Sequence, residues 1–183
     1  MKKITLALVF IIAMASFSFA QKFGFKGGVN FSKLDVSYQG YTMTSKATTN
    51  AEVGFMSDFK INDSFYFSPE LLFVQKGGKI GTVEQHFGYI EDRMNLTLKY
   101  GIDKAFLFVK SGPYAAVGVI ANNDAKFGTD LKRMDLGWGF GAGVEYSVIQ
   151  LGFNYGLGLL NVNTGNDGDV KNRTASFTLG IFF

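Results

Sequence analysis

Residues 137–146 read Gly-Trp-Gly-Phe-Gly-Ala-Gly-Val-Glu-Tyr, and their alternation of residue types is very clear. Apolar side chains occupy every second position, and glycine or glutamate fills the positions between them. A period of two is that of a β-strand, because successive side chains of a strand point to opposite faces. The stretch therefore predicts a strand with one apolar face and one face that is small or polar.

The same alternation recurs in seven other segments of the chain. These segments lie at about 23–31, 51–61, 65–76, 89–100, 105–120, 151–159 and 174–183. Strands of about ten residues are long enough to cross a bilayer when they are tilted. The chain thus contains eight candidate membrane-spanning strands.

The connections between these strands alternate between long and short. The predicted connections are 33–50, 77–88, 121–134 and 161–172, which are long, and 62–64, 101–104 and 146–148, which are short. Long extracellular loops and short periplasmic turns are typical of small outer-membrane barrels. Such a sheet must close on itself, since lipid offers no partner to the backbone groups of an edge strand. The sequence therefore predicts an eight-stranded antiparallel up-and-down transmembrane β-barrel.

The first twenty residues differ from the rest and predict a cleavable signal peptide. Lys2 and Lys3 precede an apolar stretch, and Ser18-Phe19-Ala20 supplies the small residues of a cleavage site. We expect residues 1–20 to be removed and residues 21–183 to form the barrel domain. The alternative is an uncleaved membrane anchor, although the apolar stretch is short for a span.

Composition excludes several classes of function. The chain has no cysteine, which removes disulfides, thiol catalysis and thiolate metal sites. Without Lys2 and Lys3 the net charge falls from +3 to +1, with 16 basic residues against 15 acidic ones. A nearly neutral chain of mixed charges gives no reason to expect nucleic acid as a partner.

A soluble barrel or β-sandwich is the alternative fold. It would bury the large aromatic side chains and leave Glu52, Glu70, Glu145 and Lys99 on a wet surface. A soluble barrel normally has apolar residues inside and charges outside, whereas the membrane barrel has the reverse polarity. The predicted signal peptide, the alternating connections and the chain end together favour the membrane.

The chain end is itself a candidate signal. Residues 177–183 read Phe-Thr-Leu-Gly-Ile-Phe-Phe, so the last predicted strand ends on an aromatic residue, Phe183. We expect Phe183 to be the signal read by the outer-membrane barrel-assembly machinery, which would be a partner during biogenesis. The alternative is an ordinary apolar strand that happens to stop at phenylalanine.

Charged side chains alternate with the apolar face and are expected to point into the lumen. The candidates for a lumen network of ion pairs are Glu52, Lys60, Glu70, Lys76, Arg93, Lys99, Lys110 and Glu145, with Asp58 and Glu91 on the same face. Charges in so narrow a space must pair, because an unpaired buried charge is costly. The interpretation is a structural plug, and the alternative is a narrow or gated polar path.

No catalytic, cofactor or metal site is predicted. His86 is the only histidine and falls in a predicted long loop, and no spacing ties it to Ser64 or Ser111 as a hydrolase would need. The Asn- and Asp-rich stretches at 122–124 and 166–169 lack the distal glutamate of a calcium loop, so turns explain them better.

Four segments resemble a known family. The segments are Ser68-Pro-Glu-Leu-Leu-Phe-Val-Gln-Lys-Gly-Gly78, Lys110-Ser-Gly-Pro-Tyr114, Gly139-Phe-Gly-Ala-Gly-Val-Glu145 and Tyr155-Gly-Leu157 followed by Asn161. They are similar to strands of the PorT-like outer-membrane β-barrel family. The fourth strand departs from it, since Tyr89-Ile-Glu91 is followed by Asp92-Arg93-Met94 without the family's proline. The resemblance implies a barrel in the outer membrane of a Gram-negative bacterium.

Three functions follow as hypotheses. The first is a non-enzymatic structural or interaction module that acts through extracellular loops, such as the loop containing Tyr38 and Tyr41. The second, which rests only on the resemblance, is an accessory role in outer-membrane transport or protein secretion. The third is a lipid-modifying enzyme that would use His86. Expected partners are outer-membrane lipid and an extracellular or periplasmic protein.

Overall fold

The structure is a computed structural model that describes residues 21–38, 41–80, 83–121, 127, 132–164 and 168–183. The predicted signal peptide, residues 1–20, lies outside the described residues. No helix in the described part of the chain is long and apolar enough to cross a membrane.

The described residues form one antiparallel sheet that closes on itself. Its strands are β1 (Gln21–Tyr38), β2 (Tyr41–Thr44), β3 (Thr48–Lys60), β4 (Phe65–Ile80), β5 (Val83–Ile102), β6 (Ala105–Ala121), β7 (Met134–Tyr146), β8 (Ile149–Gly158) and β9 (Asp169–Phe182). From β3 to β9 each strand pairs with the next, and β9 pairs with β1. Closure removes every long edge strand, as lipid requires.

The nine segments make eight barrel strands, because β2 and β3 lie end to end along β1. Residues 45–47 stand opposite only Lys33 and Leu34, so one extra residue forms a bulge between the two segments. The Ser45 amide donates a 2.9 Å hydrogen bond to the Leu34 carbonyl at this point. The predicted eight-stranded up-and-down barrel is confirmed.

The stagger of the strands fixes which residues meet inside. The path of cross-strand partners around the barrel runs Gln21, Phe59, Phe67, Leu96, Ser111, Phe140, Tyr155, Ala175 and Phe31. It returns to β1 at Phe31, ten residues beyond Gln21. A shift of this size accompanies strongly tilted strands, which in barrels usually lie at about 35–45° to the axis.

The polarity of the barrel is inside out. Phe25 and Phe55 on neighbouring strands are 54% and 57% exposed, and their rings are 4.9 Å apart on the outer wall. Lys26, next to Phe25 in β1, and Glu52, next to Val53 in β3, point into the lumen, and each is 2% exposed. The soluble alternative is therefore wrong, since it required the large aromatic side chains to be inside.

The extracellular connections are shorter than predicted because the strands continue beyond the apolar band. β4 runs to Ile80 and β5 begins at Val83, so the predicted loop 77–88 is almost wholly a hairpin. The predicted loop 33–50 is likewise mostly strand, formed by β1, β2 and β3. Beyond the apolar band the outer face of β4 becomes polar, as at Gln75 and Lys79, so the strand loses its apolar outer stripe but keeps its ladder of hydrogen bonds.

The short turns lie where the sequence places them. Asp103-Lys104 joins β5 to β6, and Ser147-Val148 joins β7 to β8. The first residue of each turn has a positive φ, 53° for Asp103 and 56° for Ser147, as in a type II′ hairpin. These tight turns and the chain segments at Gln21 and Phe183 lie at one end of the barrel.

Candidate functional site

The lumen contains two groups of buried ion pairs. We call one the central network, formed by Lys26, Glu52, Glu70, Lys76, Glu91, Arg93, Lys110 and Asp135. The other is the lower network, formed near the short turns by Lys22, Asp58, Lys99 and Glu145. Period-two alternation brings each of these side chains to the inner face of its strand.

Glu70 on β4 is the centre of the first group. Its Oε2 accepts a 2.9 Å hydrogen bond from Lys26 Nζ, and its Oε1 accepts one from Lys110. Arg93 on the neighbouring strand lies 3.7 Å from Oε2. One carboxylate thus holds cations from three different strands.

Arg93 links Glu70 to two further carboxylates. Its Nε is 2.6 Å from Glu91 Oε1, and its Nη2 is 3.2 Å from Glu52 Oε2. The planar guanidinium presents five donors in a fixed fork, so one cation can serve several acceptors. Arg93 therefore joins β3, β4 and β5 across the inner surface.

Lys76 extends the network to the far side of the lumen. Its ammonium lies 2.5 Å from Glu91 Oε2 and 2.9 Å from Asp135 Oδ2, and it stands 4.3 Å from the centre of the Tyr114 ring. Asn172 Nδ2 donates a 2.9 Å bond to the same oxygen of Asp135. Strands β4, β5, β7 and β9 are thereby tied together.

The lower network fills the end near the short turns. Lys99 Nζ is 2.6 Å from Asp58 Oδ2, also contacts Glu145, and stands 4.7 Å from the centre of the Tyr66 ring. Lys22, whose side chain is 45% exposed, donates a 2.6 Å bond to Glu145. The buried charges here are paired as they are in the central network.

Both networks are balanced in charge. The central one has four basic and four acidic side chains, and the lower one has two of each. A selective ion path is normally lined by an excess of one sign. The balance instead matches what burial requires, because each charge taken from water needs a partner.

The lumen of the described residues is filled rather than open. Two of its cavities have volumes of about 20 Å³ and 10 Å³. A volume of this size holds about one water molecule. Such cavities do not form a continuous aqueous path.

An apolar cluster covers the central network at the extracellular end. It consists of Leu34, Phe87, Tyr89, Tyr114 and Ala116, and we call it the apolar cap. Phe127, from the long connection between β6 and β7, packs on it with ring centres 5.5 Å from Tyr89 and 6.2 Å from Phe87. Gly118 makes room, since a Cβ there would come within 2.3 Å of the Phe127 ring.

Seven of the eight predicted lumen charges take part in the two networks, and the exception is Lys60. It lies at the exposed rim, where it donates a 2.8 Å bond to Asp63 in the adjoining turn. It has the inward parity, but it is the last residue of β3 and stands beyond the enclosed part of the lumen. Its predicted place in the lumen network was therefore wrong.

Sequence reasoning missed Lys22, Lys26 and Asp135 as network members. Lys26 alternates with Phe25, and Asp135 has the same parity as Gly137, so the period-two pattern could have identified both. Phe183 follows β9, and its ring centre is 5.6 Å from that of Phe25 on the outer wall. Its role as an assembly signal stays a prediction.

The structure does not bring the candidate hydrolase residues together. His86 lies in β5 rather than in a loop, and its Nδ1 is 2.7 Å from Asn50 Oδ1. Ser64 lies in a turn at the opposite end. Ser111 pairs with Leu96, which is ten residues from His86 along β5, or roughly 33 Å at 3.3 Å per residue.

The surroundings of His86 are those of an exposed hairpin. Glu84 accepts a 2.9 Å hydrogen bond from Lys79 across the hairpin, and this bond holds the pKa of the Glu84 carboxyl below its usual range. Among the described residues no three histidine, cysteine or acidic side chains are placed to hold a metal ion. Residues 122–124 and 165–167 lie outside the described residues.

Known proteins share both a family and a fold with this chain. The family model of the outer membrane protein beta-barrel domain matches residues 19–162. No curated protein matches the chain in sequence. Among solved structures, the chain is similar to Ail, the attachment invasion locus protein of Yersinia pestis, in complex with the heparin analogue sucrose octasulfate. The identity is 16%, the match covers 89% of this chain and 99% of that one, and the TM-score is 0.50.

Two further barrels give similar matches. The outer membrane protein OprG from Pseudomonas aeruginosa has 13% identity, covers 90% of this chain and 96% of its own, and has a TM-score of 0.49. Neisserial surface protein A has 14% identity and a TM-score of 0.48, and the match covers 87% of this chain and 97% of that one. At such identities the likeness to Ail shows the fold alone.

Proposed function

Because this chain belongs to the family of outer membrane protein beta-barrel domains, we propose that it is a non-enzymatic structural and interaction module that acts through its extracellular surface. It is a protein of the Gram-negative outer membrane. The closed and charge-balanced lumen is the observation that carries the proposal.

The lumen supports a plug rather than a conduit. Twelve charged side chains pair with one another there, and the apolar cap lies over them. A solute that crossed the barrel would have to separate buried pairs such as Lys76 and Asp135. Removing one partner of such a pair costs about 3–5 kcal/mol. We therefore assign the work of the protein to its outer surfaces.

The extracellular end offers a surface for a partner. β1 continues above the apolar band and pairs with β2, where Tyr41 and Met43 are 80% and 76% exposed. Aromatic and methionine side chains are residue types that interfaces favour. Tyr41 and Met43 are the side chains we expect a partner to contact.

Conductance tests the closed lumen. Purified protein is folded in detergent and inserted into planar bilayers, with an open porin measured in parallel. We expect no discrete current steps from this protein. Regular steps in the wild type would overturn the plug and favour a transport role.

Site-specific crosslinking on intact cells tests the extracellular surface. A photoreactive phenylalanine replaces Tyr41. The matched control replaces Tyr100, which is 71% exposed in β5 at the opposite end of the barrel. We expect a partner to be captured from position 41 and not from position 100. Capture of secretion components from position 100 alone would favour the PorT-like accessory role.

A further inference from the structure

A basic patch interrupts the outer wall at the extracellular edge of the apolar band. Along β9 the outward residues change from Phe177 and Ala175 to Arg173, and along β1 they change from Phe31 to Lys33. Apolar side chains give way to cations on two neighbouring strands at the same height. In a barrel of this type, that height lies at the boundary between acyl chains and headgroups of the outer leaflet.

Two of the cations stand directly opposite each other. Lys33 and Arg173 are cross-strand partners, and both are exposed. Lys171, two residues before Arg173 in β9, is the cross-strand partner of Asp35. Like charges at directly opposed positions destabilise a sheet, so this pair favours an anion between its members.

The nearby carboxylates are already engaged. Asp35 accepts hydrogen bonds from Arg173 Nε and, at 2.8 Å, from Thr44 Oγ1. Asp169, above Lys171, accepts a 2.8 Å bond from Asn161. Arg173 uses one of its five N–H donors on Asp35 and contacts Tyr155, so further donors remain.

A groove joins this charge to an apolar wall. Its volume is about 670 Å³, with Phe31, Tyr155 and Ala175 below and Lys33, Asp35, Thr44 and Arg173 above, so the two cations exceed the one carboxylate. The groove therefore has a cationic polar part toward the headgroups and an apolar part toward the acyl chains. A molecule with a negatively charged head and a hydrocarbon tail matches both parts.

A second pair of opposed cations, Lys46 and Lys79, also lies toward the extracellular end. Lys46, between β2 and β3, and Lys79 in β4 are bridge partners, and Lys79 donates a 2.9 Å bond to Glu84. Glu84 thus accompanies that pair as Asp35 accompanies Arg173, whereas the groove with Phe31 and Ala175 lies at the Lys33–Arg173 pair. The groove therefore makes the Lys33–Arg173 position the better site for an anion that carries a hydrocarbon tail.

We propose that this groove binds an outer-leaflet glycolipid through a phosphate on its headgroup. The phosphate lies between Lys33 and Arg173, since a guanidinium and an ammonium are the cations that bind phosphate oxygens best. An acyl chain lies against Phe31 and Ala175. The site gives the barrel a fixed lipid neighbour on the β9–β1 side.

Lipid binding to the folded protein tests the site. Protein in neutral detergent is titrated with bisphosphorylated lipid A, and bound lipid is counted by native mass spectrometry. The double variant Lys33→Gln/Arg173→Gln should raise the dissociation constant about 30-fold. That factor corresponds to about 2 kcal/mol, the contribution of two basic side chains at an anionic surface.

Two further variants separate loss of binding from loss of structure. Lys33→Gln alone keeps the Asp35–Arg173 ion pair and should weaken binding about fivefold. Lys104→Gln removes the same charge from a turn at the opposite end and should leave binding unchanged. A heat-modifiable band on a detergent gel shows that each variant is folded.

Three outcomes would overturn the proposal. Equal affinity of the double variant and the wild type would show that the pair does not hold the lipid. Equal binding of dephosphorylated lipid A would show that the headgroup phosphate is not recognised. Displacement of bound lipid A by millimolar inorganic phosphate would identify a site for a free anion instead.

Discussion

Lys76 on β4 donates a 2.9 Å hydrogen bond to Asp135 on β7. The bond crosses the lumen, because β5 and β6 lie between these two strands in the sheet. Both side chains are fully buried, at 1% and 0% exposure. The two strands are not neighbours in the sheet, so this contact connects separate parts of the barrel wall through the interior.

Replacement of Glu70 by glutamine should destabilise the barrel strongly. The substitution preserves shape but removes the charge that faces Lys26, Lys110 and Arg93. Breaking a buried ion pair from one side costs about 3–5 kcal/mol in the free energy of unfolding. Unfolding by guanidinium in detergent micelles measures the loss. Lys60→Gln, at the exposed rim, should leave the midpoint unchanged, and equal effects of the two variants would contradict a buried central network.

An arginine on the outer wall should be costly where the wall faces lipid. Phe140 lies in the middle of β7 and is 49% exposed. Arginine at the midplane of a membrane barrel costs about 2–4 kcal/mol. Folding into lipid vesicles, followed by denaturant titration, should show this loss for Phe140→Arg. Tyr41→Arg, above the lipid, should be neutral, and a neutral Phe140→Arg would contradict the membrane assignment of this face.

Two glycines of β7 should respond differently to alanine, although they differ in sequence position by only four residues. A Cβ at Gly143 would lie 2.1 Å from the Leu151 carbonyl oxygen and 2.6 Å from the Phe108 ring. A Cβ at Gly139 has nothing nearer than the Gly112 carbonyl at 3.7 Å. Gly143→Ala should therefore cost about 1–3 kcal/mol as overpacking, and Gly139→Ala should be tolerated. Matched thermal unfolding of the two variants decides the point, and the reverse order would show that the lumen is packed differently.

Ser111→Ala should change the emission of the single tryptophan. Trp138 Nε1 donates a 2.8 Å hydrogen bond to Ser111 Oγ on the outer wall, and Ser111 in turn donates to the Gly139 carbonyl. Loss of the acceptor should shift the emission maximum and cost about 1 kcal/mol. Ser57→Ala, another serine on the wall, should leave the spectrum unchanged. An unaltered emission maximum in Ser111→Ala would show that the indole bond is absent in lipid.

The strands and their polarity could be read from the sequence because both are local properties. Period-two alternation in segments such as 137–146 assigns each side chain to one face, and a charged face opposite an aromatic one identifies the inside. The tight turns at Asp103 and Ser147 follow from the short gaps between alternating segments. The extracellular strand ends could not be read, since β4 extends to Ile80 and β5 begins at Val83 in residues where the apolar outer stripe has ended.

The inward direction of Glu70, Arg93 and Lys76 follows from the alternation within each strand, whereas the choice of ion-pair partners depends on the assembled barrel. Partners across the lumen depend on barrel closure and on the ten-residue stagger, which no single segment encodes. The same stagger and the end of β3 leave Lys60 at the rim, while Asp135 reaches Lys76. The backbone of a single strand sets which side chains point inward, whereas the relative positions of all eight strands set which charged side chains pair.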